Sequence, residues 1–317
     1  MRTATLLCLS ALLLPGQVKI TPGPEKIAIE INGKPFTDFY VAGPEVAKPY
    51  LWPLRAASGT YVTRAWPMEK VEEEASIARP DHPHQRGLWF AHAKVNDLDF
   101  WNIAPLDQKP YNQPDRGKIV LNKVGKIESG KDKGSIAATF DWKNHDNKTL
   151  LTESRVTTFY ADKDDRVFDL DITLTAVEKV TFGDEKDGVL GIRLRPILQE
   201  DKGTGPLTNA DGLVGEKALW GKPSNWCDYS GDIKGEKVGI AILDHPANPR
   251  HPVRWHARAY GLFAANPFAQ AALEKGQPES PVVLEPGKSL RYRYRIIIHP
   301  GDGKSADIAA QWAKYSK

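Results

Sequence analysis

The stretch KIAIEINGKPFTDFYV, residues Lys26–Val41, is the clearest indication of the fold. Apolar and polar residues alternate in its first half, Asn32-Gly33 follows, and a second apolar and aromatic run completes it. An Asn-Gly pair between two such runs is the strongest short signal of a β-hairpin, because both residues tolerate the positive φ angles of a tight turn. The stretch therefore predicts two antiparallel strands joined by that turn.

The same kind of pattern recurs four times between about Lys118 and Glu178, with turn residues between the runs. Links this short cannot carry the crossovers that parallel strands require, so we expect consecutive antiparallel neighbours as far as Leu198. In RYRYR, residues 291–295, the alternation predicts three arginines on a solvated sheet face and two tyrosines on the other. Further strands are predicted at Val189–Leu198, Lys237–Pro246, Trp255–Ala265 and within 281–300, with a hairpin turn at Pro286-Gly287.

Only residues 305–316 have a helical pattern, with Ser305 as the expected N-cap. Two stretches, 42–80 and 203–234, lack a regular pattern and are predicted to be long functional loops. The fold class that follows is all-β: a large antiparallel β-sandwich with long loops and a short C-terminal helix. We expect residues 17–317 to form a single domain of this kind.

The N-terminus resembles a secretory signal peptide. Arg2 precedes a short apolar run, and Pro15-Gly16 breaks it, so residues 1–16 are predicted to be removed on export to the periplasm or medium. Removal would leave Cys227 as the only cysteine, which we interpret as a small buried apolar residue. The charge is balanced, 43 basic against 40 acidic residues, which disfavours a nucleic-acid partner. No later apolar run is long enough to span a membrane.

The strip DHPHQRGLWFAH, residues 81–92, concentrates polar chemistry beside a predicted strand. Pro83 favours an extended backbone at His82, which would point His82 and His84 the same way. Such a pair can transfer protons with a nearby carboxylate, or hold a divalent metal with a further ligand. No cofactor is predicted, and any metal would be bound by His82 and His84. The alternative is a structural turn in which Asp81 and Arg86 pair.

A second cluster lies at residues 251–268. On a strand, Arg254, His256 and Arg258 share one face, and burying that face in a dry core would be costly. We therefore expect both clusters to line one water-filled cleft, with His84 and His256 as the proton-transfer pair. The candidate catalytic residues are His82, His84, His256, Glu153 and Asp228, the last on a presumed loop. The candidate ligand-binding residues are Arg86, Trp89, His92, Arg193, Trp226, Arg254, Arg258 and Asn266.

The 81–92 strip, WCDYSG at 226–231 and HPVRWHARAYGLFAANPF at 251–268 together resemble signature blocks of a bacterial family labelled "methane oxygenase PmoA". That family more commonly has histidine where this chain has Gln85. The resemblance implies a β-sandwich similar to the galactose-mutarotase-like supersandwich. It does not imply methane oxidation. The methane-oxidising membrane subunit from which the label is taken requires transmembrane helices, and no apolar run after residue 16 is long enough to form one.

Three functions remain open at this stage. The first is an exported carbohydrate-active enzyme, an epimerase, lyase or hydrolase, that uses histidine acid–base chemistry with tryptophans packed on sugar faces. The second is a non-catalytic sugar-binding or cell-envelope module. The third is a metal-dependent oxidoreductase built on His82 and His84. For the first two, the expected partner is a carbohydrate or another oxygen-rich small molecule.

Overall fold

Two eight-stranded antiparallel sheets, packed face to face, make up most of the fold. The computed structural model describes residues 17–77, 81–104 and 113–317, so the predicted signal peptide lies outside the described residues. The strands in chain order are β1 (Val18–Thr21), β2 (Lys26–Ile31), β3 (Lys34–Tyr40), β4 (Tyr50–Trp52), β5 (Leu88–His92), β6 (Lys118–Glu128), β7 (Lys133–Lys143), β8 (Thr149–Tyr160), β9 (Arg166–Ala176), β10 (Val180–Phe182), β11 (Gly188–Arg193), β12 (Leu207–Asn209), β13 (Trp226–Ile233), β14 (Glu236–Asp244), β15 (Arg254–Arg258), β16 (Leu262–Asn266), β17 (Val282–Leu284) and β18 (Ser289–Pro300). The helices are α1 (Glu72–Ile77), α2 (Glu216–Leu219) and α3 (Ile308–Tyr315).

The first sheet has the strand order β1-β2-β3-β4-β5-β11-β16-β15. The predicted hairpin is confirmed, because β2 pairs with β3 and the turn residues Asn32 and Gly33 have φ angles of 54° and 73°. The strands β5, β11, β16 and β15 come from three distant parts of the chain. Their pairing brings the 81–92 strip and the second cluster onto one sheet.

The second sheet has the order β12-β13-β14-β18-β9-β8-β7-β6. The strands β6 to β9 are consecutive antiparallel neighbours, which confirms the predicted meander. Tyr292 and Tyr294 are buried while Arg291 is exposed, as the alternation of RYRYR predicted. Aromatic contacts such as Phe39 with Phe140 join the two sheets across the core.

The expectation of consecutive pairing fails after β9. The strand β10 pairs with β17 in a separate two-stranded sheet, and β11 lies in the first sheet between β5 and β16. Pro286-Gly287 is a turn, but it joins β17 to β18, which do not pair, so it is not a hairpin. The predicted strand Trp255–Ala265 is two strands, since Gly261, with a φ of 83°, closes a turn between β15 and β16.

Three local predictions also need correction. The N-cap of α3 is Asp307, whose side chain accepts a hydrogen bond from the Ala310 amide, and not Ser305. The presumed loop 203–234 contains β12, α2 and β13, so Asp228 lies on a strand. The stretch 42–77 contains β4 and α1. In the described ranges, no helix has the length and apolar character needed to cross a membrane.

Candidate functional site

The outer face of the first sheet carries the candidate site. Trp89, Gly191, Ala264 and His256 lie side by side across β5, β11, β16 and β15. Side chains alternate between the two faces of a strand, so Arg193, Arg254 and Arg258 share this outer face, while Trp255 points into the core. The prediction that the arginines and His256 share a face is therefore consistent with the strand register.

A tight turn places His82 at the edge of this face. Its φ of 47° is left-handed, which contradicts the predicted extended backbone, and its carbonyl accepts a hydrogen bond from the Gln85 amide. His82 and His84 have rings with centroids 5.5 Å apart and nearly perpendicular, at 76°. The His82 side chain is 42% exposed, which makes it the most accessible imidazole of the strip.

Asp81 orients His82. Nδ1 of His82 lies 3.0 Å from Oδ2 of Asp81, and Oδ1 is held by Arg64 at 2.7 Å and Arg193 at 3.2 Å. Burial alone would raise the pKa of Asp81, but the hydrogen bond from His82 and the charges of Arg193 and Arg64 outweigh it and hold the pKa well below the usual range. The carboxylate is therefore ionised at neutral pH and favours the tautomer of His82 that carries its proton on Nδ1 and leaves Nε2 unprotonated.

A continuous series of ring and cation contacts joins the two sequence clusters. His82 stacks on Tyr260 with centroids 5.5 Å apart, and Arg193 and Arg258 lie 4.5 and 5.2 Å from the centre of the Tyr260 ring. Arg258 also lies 5.2 Å from the ring of Trp220. The series ends at His256, whose ring meets Trp220 edge to face at 5.1 Å. The strip and the second cluster thus meet on one surface.

The two histidines predicted to exchange protons are both buried. Burial lowers the pKa of His256 to about 4, against the opposing effect of Asp187. Burial, reinforced by the charge of Lys48, lowers the pKa of His84 well below its usual range. Both imidazoles are therefore neutral at pH 7, and in the described arrangement His82 is better placed than either to exchange a proton with a ligand.

A small recess adjoins His84. Its cavity volume is about 10 Å³, room for about one water-sized group, and it opens into a wider space shared with solvent. Arg86 lines it and donates to the Glu45 carbonyl at 2.8 Å, while its contact with the Glu45 carboxylate is longer, at 3.4 Å. The remaining lining residues are Ala47, Lys48, Tyr50, Ile103 and Ala104.

Three predicted site residues lie on the second sheet, away from this face. Glu153 is wholly buried and binds Arg155 at 2.6 Å and the indole of Trp142 at 2.9 Å, in the core between the sheets. Asp228 is a buried partner of His299, at 2.7 Å. Trp226 lies on the same strand as Asp228 and lines a different cavity. The sequence analysis assigned these residues to the site because of their chemical type, whereas their strands belong to the second sheet.

Other candidate residues lie on the first sheet, but each is engaged in packing, hydrogen bonds or an ion pair within the protein. Trp89 has no exposed surface and packs against Trp101, so it cannot stack on a ligand in this arrangement. His92 faces the core, where Nε2 lies 2.8 Å from the Gly183 carbonyl. Asn266 binds the carbonyls of Glu185 and Lys186. Arg254 is paired with Glu274 at 2.7 Å.

Sequence reasoning missed Lys48, Arg64 and Trp220, which contribute charge and an aromatic ring to the site. They lie in the stretches 42–80 and 203–234, which were predicted to be loops, and no short-range pattern distinguishes them. Within 17–77, 81–104 and 113–317, no group of three or more His, Cys, Asp or Glu side chains is arranged to hold a metal ion. His82 and His84 are neighbours, but Nδ1 of His82 is engaged by Asp81.

Comparison with solved structures finds distant similarity. A galactose mutarotase-like protein from Clostridium acetobutylicum is 11% identical, with a TM-score of 0.45 over 90% of this chain and 99% of the other. α-Galactosidases from Geobacillus stearothermophilus and Lactobacillus brevis are 10% and 12% identical, each with a TM-score of 0.41 over 90% of this chain. This chain spans 40% of the length of either enzyme.

No curated protein matches the sequence. A family model does match, over residues 26–313, a range that contains every site residue described above. Its description is a family of unknown function, and it does not carry the expected methane oxygenase label. The chain belongs to this family of unknown function, DUF6807.

Proposed function

We propose that this protein binds a sugar, or a similar hydroxyl-rich small molecule, on the outer face of the first sheet, and that His82 exchanges a proton with it. The observation that carries this proposal is the arrangement around His82. Its partly exposed imidazole is oriented by Asp81 and lies flat against Tyr260, beside Arg193 and Arg258. Aromatic faces with a few converging polar groups are typical of small-molecule sites.

Different residues would supply the apolar contact, the hydrogen bonds and the proton transfer. The rings of Tyr260 and Trp220 supply apolar surface, and the guanidinium of Arg258 supplies hydrogen-bond donors for hydroxyl oxygens. His82, held through Nδ1 by an ionised Asp81, accepts a proton at Nε2 and returns it, as a base and then as its conjugate acid. An epimerase, a lyase and a hydrolase can each use such a group.

A non-catalytic sugar-binding module is the second candidate. The burial of His84 and His256 favours it, because both are neutral at pH 7 and the two-histidine acid–base pair is not assembled at the surface. We further propose that the protein is exported, as its N-terminal sequence suggests. Both candidates then describe a protein that meets its carbohydrate outside the cytoplasm.

The test combines binding with turnover. Monosaccharides and aryl glycosides are screened by calorimetry, and turnover is followed by polarimetry and chromophore release. We expect His82→Gln to lower turnover by about 100-fold or more, with affinity changed only a few-fold, because the amide retains hydrogen bonds but cannot transfer protons. His145→Gln, at an exposed turn, is the matched control.

Each outcome separates the candidates. Binding without turnover across the screen favours the module. Full turnover by His82→Gln would overturn the proposed role of His82. If no saccharide binds, the carbohydrate proposal itself fails.

A further inference from the structure

The recess beside His84 is lined by a buried lysine. Lys48 is 4% exposed, and its ammonium donates to the carbonyls of Trp101 at 2.7 Å and Ile103 at 3.1 Å. In the described part of the chain it forms no ion pair, and the charge that acts on it most is that of Arg86, which is also positive. Burying an unpaired ammonium is costly, so proteins keep such a group mainly where it is used.

The charges lining the recess do not balance. Lys48 and Arg86 are two cations, while Glu45 is the only carboxylate among the lining residues that the structure describes, and its side chain is 64% exposed. Exposure screens that carboxylate, so it compensates Arg86 only weakly. The recess therefore has an excess of about one positive charge, together with the imidazole of buried His84.

The recess is also in position to receive part of a ligand. His84, which lines it, has its ring 5.5 Å from that of His82, the group proposed to meet the sugar. On its other side, the ammonium of Lys48 lies 5.9 Å from the centre of the Trp89 ring, which belongs to the outer face of the first sheet. The cavity volume of the recess, about 10 Å³, has room for about one water-sized group, such as one oxygen of a ligand substituent, and not for a sugar ring.

We propose that this recess binds the carboxylate of an acidic sugar, so that the ligand of the site is a uronic acid or a glycan that ends in one. The proposal rests on the proposed function, since it assigns a substrate class to that same surface. A carboxylate carries the single negative charge that the recess lacks. One of its oxygens can enter the recess and accept hydrogen bonds from Lys48 and Arg86.

Binding should also move a proton. Burial, reinforced by the charge of Arg86, lowers the pKa of Lys48 well below its usual range in the free protein. A bound carboxylate favours the charged ammonium and raises that pKa again, so proton uptake from the buffer should accompany binding. Calorimetry in two buffers that differ in ionisation enthalpy measures this uptake.

The experiment compares D-glucuronate and D-galacturonate with D-glucose, D-galactose and galactose 6-sulfate on the full-length protein. We expect a uronate to bind about tenfold or more tightly than its neutral counterpart, which corresponds to one charge-assisted hydrogen bond or more. Lys48→Met should remove that advantage, measured as the ratio of the two affinities, together with the proton uptake. Lys19→Met, at an exposed lysine paired with Glu30, should change neither.

The outcomes are distinct. If a neutral sugar binds as tightly as its uronate, or Lys48→Met retains the preference, the acidic-sugar inference is overturned and the proposed function stands. Tighter binding of the sulfate would overturn the carboxylate assignment. If no sugar binds, the proposed function fails.

Folding of the variant is checked by its melting temperature. Lys48→Met should be at least as stable as the native protein without ligand, because it removes an uncompensated buried charge. A clear loss of stability would show that Lys48 is structural and count against the inference.

Discussion

Asp81 accepts a hydrogen bond from Arg64 at 2.7 Å, and the guanidinium that donates it is only 2% exposed. Arg193, equally buried, shares the same carboxylate. One partly exposed acid therefore compensates two buried cations, and the geometry of His82 depends on that acid. Loss of the Asp81 charge should therefore both destabilise the fold and disturb the orientation of His82.

We expect Asp81→Asn to lower the free energy of unfolding by about 2 kcal/mol, less than for a wholly buried pair because Asp81 is 38% exposed. The same change should reduce any turnover that depends on His82. Asp171→Asn, in an exposed pair with Arg291, is the control and should cost at most about 1 kcal/mol. Equal losses in the two variants, measured by urea unfolding, would contradict this account.

Glu153 and Arg155 form an ion pair inside the core, where three phenylalanine rings surround the guanidinium. Removing the charge of one partner leaves the other buried and unpaired, so Glu153→Gln should cost about 3–5 kcal/mol. The double variant Glu153→Met/Arg155→Met should recover much of that loss. Ligand affinity per folded molecule should not change, and a specific loss of binding by folded Glu153→Gln would restore Glu153 to the site.

Acid should destabilise the fold between pH 6.5 and about 4. Burial lowers the pKa of His92 to about 4 from an ordinary 6.5, so the unfolded chain binds more protons in this window and the free energy of unfolding falls as pH falls. The contribution of His92 approaches about 3 kcal/mol at the lower limit. His92→Asn should flatten the slope of stability against pH, whereas the exposed-site control His145→Asn should not. Parallel slopes in both variants would refute this assignment.

Gly191 occupies a position where a side chain has no room. A Cβ there would lie 2.6 Å from the ring of Trp101 and 2.8 Å from that of Trp89. We expect Gly191→Ala to cost about 1–3 kcal/mol and to weaken ligand binding, because the Trp101 carbonyl holds Lys48. Gly125→Ala meets nothing closer than 3.3 Å and is the control. Native affinity in folded Gly191→Ala would show that this packing does not support the site.

Export is tested by mass spectrometry of protein recovered from a host that secretes it. We expect a mature chain that has lost the apolar segment ending near Gly16 and retains Cys227 as a single thiol. Detection of Met1 on protein from the soluble cytoplasm would contradict that expectation.

The site was only partly predictable from its residues. The 81–92 strip and the second cluster were recognised because cations and histidines accumulate there against the cost of burying them. That cost was also the reason to expect one water-filled cleft, and the contacts from His82 through Tyr260, Arg258 and Trp220 to His256 place the two clusters on one surface. Glu153 was wrongly assigned to the site. The sequence around a charged strand residue does not show whether an oppositely charged residue pairs with it in the core.

The sequence by itself determined the Asn32-Gly33 hairpin, the β6 to β9 meander and the polar face of β15, because each depends on alternation or turn chemistry within a few residues. Only the tertiary structure decided that β11 lies between β5 and β16, that His84 and His256 are buried while His82 is exposed, and that Lys48 meets Arg86. Strand order and burial depend on contacts between residues far apart in the chain. Local patterns show which side chains share a face, but not what covers that face.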